Sequence, residues 1–165
     1  MSSFKVFIFC LCLAVAGCGF TPMYGDKAAS TLRPDIEIVS IPDRDGQFLR
    51  NLLIDRLYSQ GTPTDTRYQL VMSPPQKTVI NIGIRKDASA TRAQMQIDSK
   101  MQLIEKAGGQ ILLERDFRIV GAYNLLDDQL ATIVSRQSIT ENMLREMSDD
   151  VVRALDLHFR ESTVQ

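Results

Sequence analysis

The chain has 165 residues, 44% hydrophobic and 24% charged, with 19 basic against 20 acidic side chains and a net charge of −1. That balance excludes strong overall attraction to nucleic acid, and the length suits a single core. All three cysteines lie within the first 18 residues, which excludes a disulfide, a thiol nucleophile and a cysteine metal site from the remainder.

Lys5 precedes an uninterrupted apolar run from Val6 to Val15, and two small residues, Ala16 and Gly17, stand directly before Cys18. About ten apolar residues cannot cross a hydrocarbon core as a helix, which takes about twenty. Residues 1–17 therefore read as a secretory signal peptide. A cysteine at the first position after the cut predicts acylation of the Cys18 thiol, with Cys18 as the new amino terminus. The alternatives are an ordinary signal peptide or a membrane-anchoring helix, but Val15 occupies a position where an ordinary cut prefers a small residue. Two or three acyl chains anchor effectively permanently, because each buried methylene adds about 0.8 kcal/mol. Gly19 is not the aspartate that often retains such proteins in the inner membrane, so the outer membrane is the expected location. Without its first 17 residues the chain keeps 148, and with Lys5 gone 18 basic side chains face 20 acidic ones.

Residues 18–34 form the acylated cysteine and a tether, small, polar and proline-ended from Gly25 to Pro34. Residues 35–165 form the predicted folded domain. Asp35 to Ile41 carries Ile36, Ile38, Val39 and Ile41, a short strand stopped by Pro42. From Arg44 to Gln60 the period becomes helical, with Phe48, Leu49, Leu52, Leu53 and Leu57 on one stripe and Gly61 closing it. Tyr68, Leu70 and Met72 alternate with polar neighbours, Pro74-Pro75 interrupts, and Ile80, Ile82 and Ile84 resume the same parity, which predicts one shared core face. Met95, Ile97, Met101 and Leu103 alternate with Gln94, Gln96, Asp98, Lys100 and Gln102, a strand with one wet and one dry side. Gly108-Gly109 predicts a hairpin turn, followed by Ile111, Leu113, Phe117, Ile119 and Tyr123 on one parity. From Asp128 a helical stripe begins with Leu130, Ile133 and Val134 and continues through Leu144, Met147, Val151, Leu155 and Phe159. Asp127 and Asp128 are natural caps, and Ser148-Asp149-Asp150 is either part of one long helix or a kink or second cap. The order β-α-β-β-β-α predicts an α+β sandwich: a roughly four-stranded, largely antiparallel sheet with two helices packed on one face.

Catalytic chemistry finds little support. The single histidine, His158, sits near the end of the last helix, where a favourable partial charge or solvent explains it. No Gly-x-Ser-x-Gly elbow or phosphate-cradling glycine loop occurs. Asp127-Asp128 and Asp149-Asp150 are sequence neighbours that do not face one another on a helix. Asp43, Asp45 and Gly46 only faintly resemble a calcium loop, since the bidentate glutamate is missing. The methionines fall on apolar positions and suit core filling. The chain is therefore expected to be no enzyme and to use neither cofactor nor metal. Basic side chains carry more information. Arg85, Lys86 and Arg92 bracket a turn, with Lys77 and Lys100 on neighbouring strand segments; gathered together they would form a phosphate-binding patch. The structural alternative is that they keep the sheet soluble and guard its edge.

At Cys18-Gly19-Phe20-Thr21-Pro22-Met23-Tyr24-Gly25 the chain resembles the opening of the LPS-assembly lipoprotein family (LptE), in particular its alphaproteobacterial branch, where Cys-Gly-Phe-x-Pro-x-Tyr-Gly is typical. Further similarity lies in Ile41-Pro42-Asp43-Arg44 leading to Leu49-Arg50-Asn51, in Ala90-Thr91-Arg92, and in Ala122-Tyr123-Asn124 followed by Ala131-Thr132. Leu130, Ser138 and Ile139 depart from the family pattern. The resemblance implies a non-catalytic, palmitate-bearing outer-membrane lipoprotein of the cell envelope. It would face the periplasm or the lumen of a barrel, plug and support assembly of the LptD β-barrel, and aid lipopolysaccharide delivery to the outer leaflet. It also implies possible direct lipopolysaccharide binding, for which Arg85, Lys86, Arg92 and Lys100 are the candidates by charge and position. Another periplasmic adaptor, such as a pilot lipoprotein for a secretion pore, and an envelope enzyme using carboxylates alone are the other readings.

Overall fold

The computed structural model describes residues 36–58, 61, 63–84, 90–125 and 128–163. The signal segment, Cys18, the tether, Arg85, Lys86 and Asp127 lie outside these residues. The elements are β1 (Ile36–Ile38), α1 (Asp43–Leu57), β2 (Tyr68–Met72), β3 (Gln76–Ile84), β4 (Ala90–Glu105), β5 (Gln110–Asn124) and α2 (Gln129–Thr163). The class is α+β, with both helices contributing to one core. The sheet has five strands and is mixed, because β1 pairs with β2 in parallel while every other pairing is antiparallel.

β4 is the spine. Along one side it pairs with β5 from Arg92 opposite Asn124 to Glu105 opposite Gln110. The turn between them is closed by Gly109, at φ 67°, whose N–H donates to the Glu105 carbonyl at 2.8 Å. Along its other side β2 and β3 lie end to end, as two pieces of one interrupted row. Met72 faces Met101 and Gln76 faces Asp98, so three residues, Ser73 to Pro75, stand against two, Ser99 and Lys100. Prolines donate no N–H, so the ladder cannot run through them. Ser73 holds the gap: its N–H donates to the Lys100 carbonyl at 2.9 Å, its hydroxyl accepts from the Lys100 N–H at 2.8 Å, and its carbonyl accepts from the Ser99 hydroxyl at 2.8 Å.

One extra residue reverses the faces of everything after it. Leu70 and Met72 are buried, whereas Ile80 and Ile82 point away from the helices and are about half exposed. The expectation that both pieces face one core is therefore corrected, and Lys77, Val79 and Asn81 take the inner positions opposite Ile97, Met95 and Ala93. A second register shift between Leu103 and Ile104 places Ile111 opposite Ile104, so Ile111 leaves the parity of Leu113, Ile119 and Tyr123 and stands exposed.

A parallel pair needs a crossover, which α1 supplies between β1 and β2. The free edge of β1 is closed by Tyr58, whose hydroxyl donates to the Ile36 carbonyl at 2.8 Å and accepts from the Ile38 N–H at 3.1 Å. Asp43 and Asp45 lie in the first turn of α1, where carboxylates complement the helix dipole. α2 runs unbroken for 35 residues, about 52 Å at the α-helical rise. Ser148-Asp149-Asp150 is neither kink nor cap: Ser148 is buried, Asp149 pairs with Arg56 of α1 at 2.6 Å, and Asp150 pairs with Arg153 at 3.2 Å. Asp128 is the cap, its Oδ1 accepting from the N–H of Leu130 at 2.8 Å and of Ala131 at 3.4 Å.

The core lies between the sheet and this helical layer. Leu49 and Leu53 from α1 and Met143, Leu144, Met147, Val151 and Leu155 from α2 cover Leu70, Ala93, Met95, Ile97, Met101, Leu103 and Ile119. Met72, Met95, Met101, Met143 and Met147 are all buried there, where flexible thioethers fill irregular gaps.

Candidate functional site

On the sheet face away from the helices, β4 presents Gln94, Gln96, Asp98, Lys100 and Gln102, as alternation predicts. Asp98 accepts from Arg118 Nε and from Gln96 Nε2, each at 2.7 Å. Lys100 Nζ lies 2.7 Å from Glu114 Oε1, and Gln102 Nε2 donates to Glu114 Oε2 at 2.5 Å. Hydrogen bonds from Arg118 and then Gln96 hold the Asp98 carboxyl below its ordinary value, and those from Lys100 and then Gln102 do the same for Glu114. The Glu114 carboxylate in turn raises the Lys100 ammonium. These charges satisfy one another, leaving little positive field for an external phosphate.

The basic residues of the sequence reading do not all meet. Lys100 lies eight positions along β4 from Arg92, about 26 Å at strand spacing. Lys77 is on the inner side of β3, paired with Asp45 of α1 at 2.5 Å. That contact also gives Asp45 a structural role; among the described residues no group of three or more His, Cys, Asp or Glu side chains is placed to hold a metal. His158 packs edge-on against Phe159, with ring centres 5.5 Å apart. Arg92 is exposed near the start of β4, and among the described residues no carboxylate pairs with it, while Arg85 and Lys86 lie outside the described residues.

The same end of the molecule holds a feature that hydrophobic periodicity misassigns. Leu130, Ile133 and Val134 read as the start of the α2 core stripe, yet they are 68%, 50% and 60% exposed, and no α2 residue before Thr140 is buried. The reason lies in the sheet beneath. After the Pro74-Pro75 step the inner positions of β3 hold Lys77, Val79 and Asn81, of which only Val79 is apolar, and those of β4 and β5 at this end include Ala93 and Gly121. There is too little apolar surface here to cover the head of α2.

Two clefts flank that head. The larger, about 800 Å³ and open, lies between α2 and the end of β5, lined by Arg92, Tyr123, Asn124, Asp128, Leu130 and Val134 among others. The smaller, about 400 Å³, lies between α1 and α2 and includes Phe48, Lys77, Ile133, Arg136 and Leu144. Arg136 links them: its Nε donates to the Tyr123 hydroxyl at 3.2 Å and its guanidinium sits 5.7 Å from the centre of that ring. Among the described residues Arg136 also has no carboxylate partner. Asp128, the acid lining the larger cleft, is committed to capping α2. The sequence signal for this end is the pair Ala122-Tyr123-Asn124 and Leu130 to Val134; its exposure could not be read without the register shift.

Solved structures share the fold. A proposed lipoprotein from Caulobacter crescentus is 22% identical, with a TM-score of 0.60, covering 81% of this chain and 96% of its own. The rare lipoprotein B of Shewanella oneidensis is 12% identical, with a TM-score of 0.58 over 72% of this chain and 93% of that one. A minor lipoprotein from Acinetobacter baumannii is 13% identical, with a TM-score of 0.55 over 74% and 91%. No curated protein matches the chain. The family model described as LptE, lipopolysaccharide-assembly, matches residues 34–155, which takes in every strand and most of α2. The chain therefore belongs to the LptE lipopolysaccharide-assembly family.

Proposed function

We propose that the protein is an outer-membrane lipoprotein, acylated at Cys18 after removal of residues 1–17, that plugs an LptD-like β-barrel, supports its assembly and aids delivery of lipopolysaccharide to the outer leaflet. The observation that carries this reading is the LptE match across residues 34–155. The surface agrees with it. The outer row of β4 with its β5 partners is a self-neutralised polar ladder suited to contact with a polar barrel lumen, and the described residues contain no helix long and apolar enough to cross a membrane. Residues 18–34 give the domain the reach to stand off from its lipid.

Direct lipopolysaccharide binding we assign to Arg85, Lys86 and Arg92, on their charge and their closeness in sequence. Lys100, tied to Glu114 on the outer face, contributes little. Reversing Arg85, Lys86 and Arg92 together weakens binding to the phosphorylated lipid while the domain keeps its melting temperature; unchanged binding removes these residues from the account. For the larger claim, the acylated chain is purified from native outer membranes and its companions are identified. Recovery of an LptD-like barrel in equal amount supports the reading, and recovery of a secretion pore in its place refutes it.

A further inference from the structure

We infer that the free edge of β3 pairs antiparallel with the same edge of a second copy of this chain, joining two sheets into one. This contact is separate from the proposed function, since neither lipid nor barrel is needed to form it. An edge strand presents unpaired N–H and C=O groups, a template for another strand, and folded proteins guard such edges with charge, proline, a bulge or a cover. The edges of this sheet are β1, β5 and β3, and the first two are guarded. Tyr58 closes β1, and β5 carries Glu114, Arg115, Asp116 and Arg118. The third stands open. Among the described residues β3 pairs with β4 alone, and every residue from Gln76 to Ile82 is exposed. Val79 on the inner side and Ile80 on the outer side are 47% and 54% exposed, so apolar side chains are uncovered on both faces. Lys77, the one charged residue of β3, is committed to Asp45 of α1 at 2.5 Å. Pro74-Pro75 precedes the strand and the register shift follows Asn81, so neither guards the stretch between.

The occupant follows from which chains can offer a strand. A closed barrel pairs each strand on both sides and has no edge to give, so the barrel of the proposed function can meet β3 through side chains only. A second copy carries the same open edge and satisfies it reciprocally, in the isologous contact of a two-fold dimer. Charge permits this. In an antiparallel pairing centred on Val79, the middle of the exposed run, Thr78 stands opposite Ile80 twice, Val79 opposite its own copy, and Lys77 opposite Asn81. No charge meets a like charge, and the β-branched side chains that pack well across a ladder meet at the centre. Seven residues span about 23 Å at strand spacing, which puts the contact among small, transient interfaces, below about 1,200 Å². The dimer is therefore reversible, and chains held at one membrane surface favour it through their raised effective concentration.

The test uses the full chain reconstituted in phosphatidylcholine liposomes, with single added cysteines and mild oxidation. Beyond residues 1–17 the native chain holds only Cys18, and the unsubstituted protein supplies the background. Val79→Cys should give a disulfide-linked dimer as the main product. Gln76→Cys, about 20 Å from its own copy at strand spacing, and Arg115→Cys on the charged β5 edge should stay at background. In the Val79→Cys chain, Thr78→Lys with Ile80→Lys sets like charges opposite one another twice and should lower the crosslinked fraction about tenfold. Thr78→Glu with Ile80→Lys sets opposite charges there and should restore it. All these side chains are exposed, and a thermal melt confirms that each variant folds. Background crosslinking of Val79→Cys overturns the inference, as does equal crosslinking of Gln76→Cys or Arg115→Cys, or a charge-swapped pair that fails to restore the dimer. Barrel recovery by the Thr78→Lys, Ile80→Lys variant should be unchanged; its loss assigns the edge to the barrel, overturning the inference and sparing the proposed function. Failure of the native chain to recover a barrel bears on the proposed function alone.

Discussion

Replacing Gly46 by alanine sets two effects of known sign against each other. Alanine is the better helix former, by about 0.5–1 kcal/mol in a helix interior. Gly46, however, is buried in the first turn of α1, where an added Cβ meets Ile41 Cγ2 at 2.7 Å and the Ile41 carbonyl carbon and oxygen at 3.1 Å. The neighbour is partly backbone, and Ile41 precedes Pro42, which restricts its dihedrals. It cannot step aside as the tip of a flexible side chain would. Overpacking of this kind costs about 1–3 kcal/mol, so with the propensity gain subtracted Gly46→Ala should destabilise by about 1 kcal/mol and by at most about 2.5 kcal/mol. At about 2–4 °C per kcal/mol, the midpoint falls by about 2–4 °C and by at most about 10 °C, readable by circular dichroism. In an Ile41→Ala background the Cγ2 clash is gone, and the penalty should shrink by about 0.5 kcal/mol or more. A raised midpoint for Gly46→Ala, or the same penalty in both backgrounds, would refute the packing argument.

Met147→Ala, at a fully buried position between α2 and the sheet, should cost about 2–5 kcal/mol in urea unfolding; a cost below 1 kcal/mol on that scale would mean that α2 does not close the core. Asp98 and Glu114 have folded-state values below the ordinary 3.8 and 4.5. Their contribution is therefore complete above those ordinary values and is lost as pH falls through the lower folded ones. Carboxyl titration by NMR should find both midpoints depressed, and Arg118→Gln should return that of Asp98 upward; an undisturbed Asp98 would contradict the pairing. Ile80 pairs across the ladder with the outward Gln94, and Ile82 is likewise about half exposed, so a soluble paramagnetic probe should broaden the methyl signals of Ile80 and Ile82 strongly and those of Met95 and Ile97 little. Protected Ile80 and Ile82 methyls would contradict the register.

Much of this architecture is legible in the residues. The alternation from Met95 to Leu103 gives β4 its two faces, Gly108-Gly109 marks the turn, and the spacing from Leu144 to Leu155 gives the buried stripe of α2. Periodicity fails where pairing partners decide. Ile80 and Ile82 share the parity of Leu70 and Met72 along the chain, but the count of residues against β4 reverses them. Leu130, Ile133 and Val134 continue the helical stripe faithfully, yet a stripe says only which way a helix faces. It does not say whether anything lies there to cover it, and at this end Lys77, Asn81 and Gly121 hold inner strand positions, with Val79 the one apolar side chain on the inner side of β3. The charge patch fails for a similar reason: Lys100 is close to Arg92 in sequence but far along an extended strand, and its charge is met by Glu114.

The most direct test of the account is the composition of the complex purified through the acylated chain from native outer membranes. An LptD-like barrel and lipopolysaccharide should co-elute with it in stable proportion, with labelled palmitate on Cys18. A chain that elutes alone and unacylated, while the barrel assembles normally without it, would contradict the account.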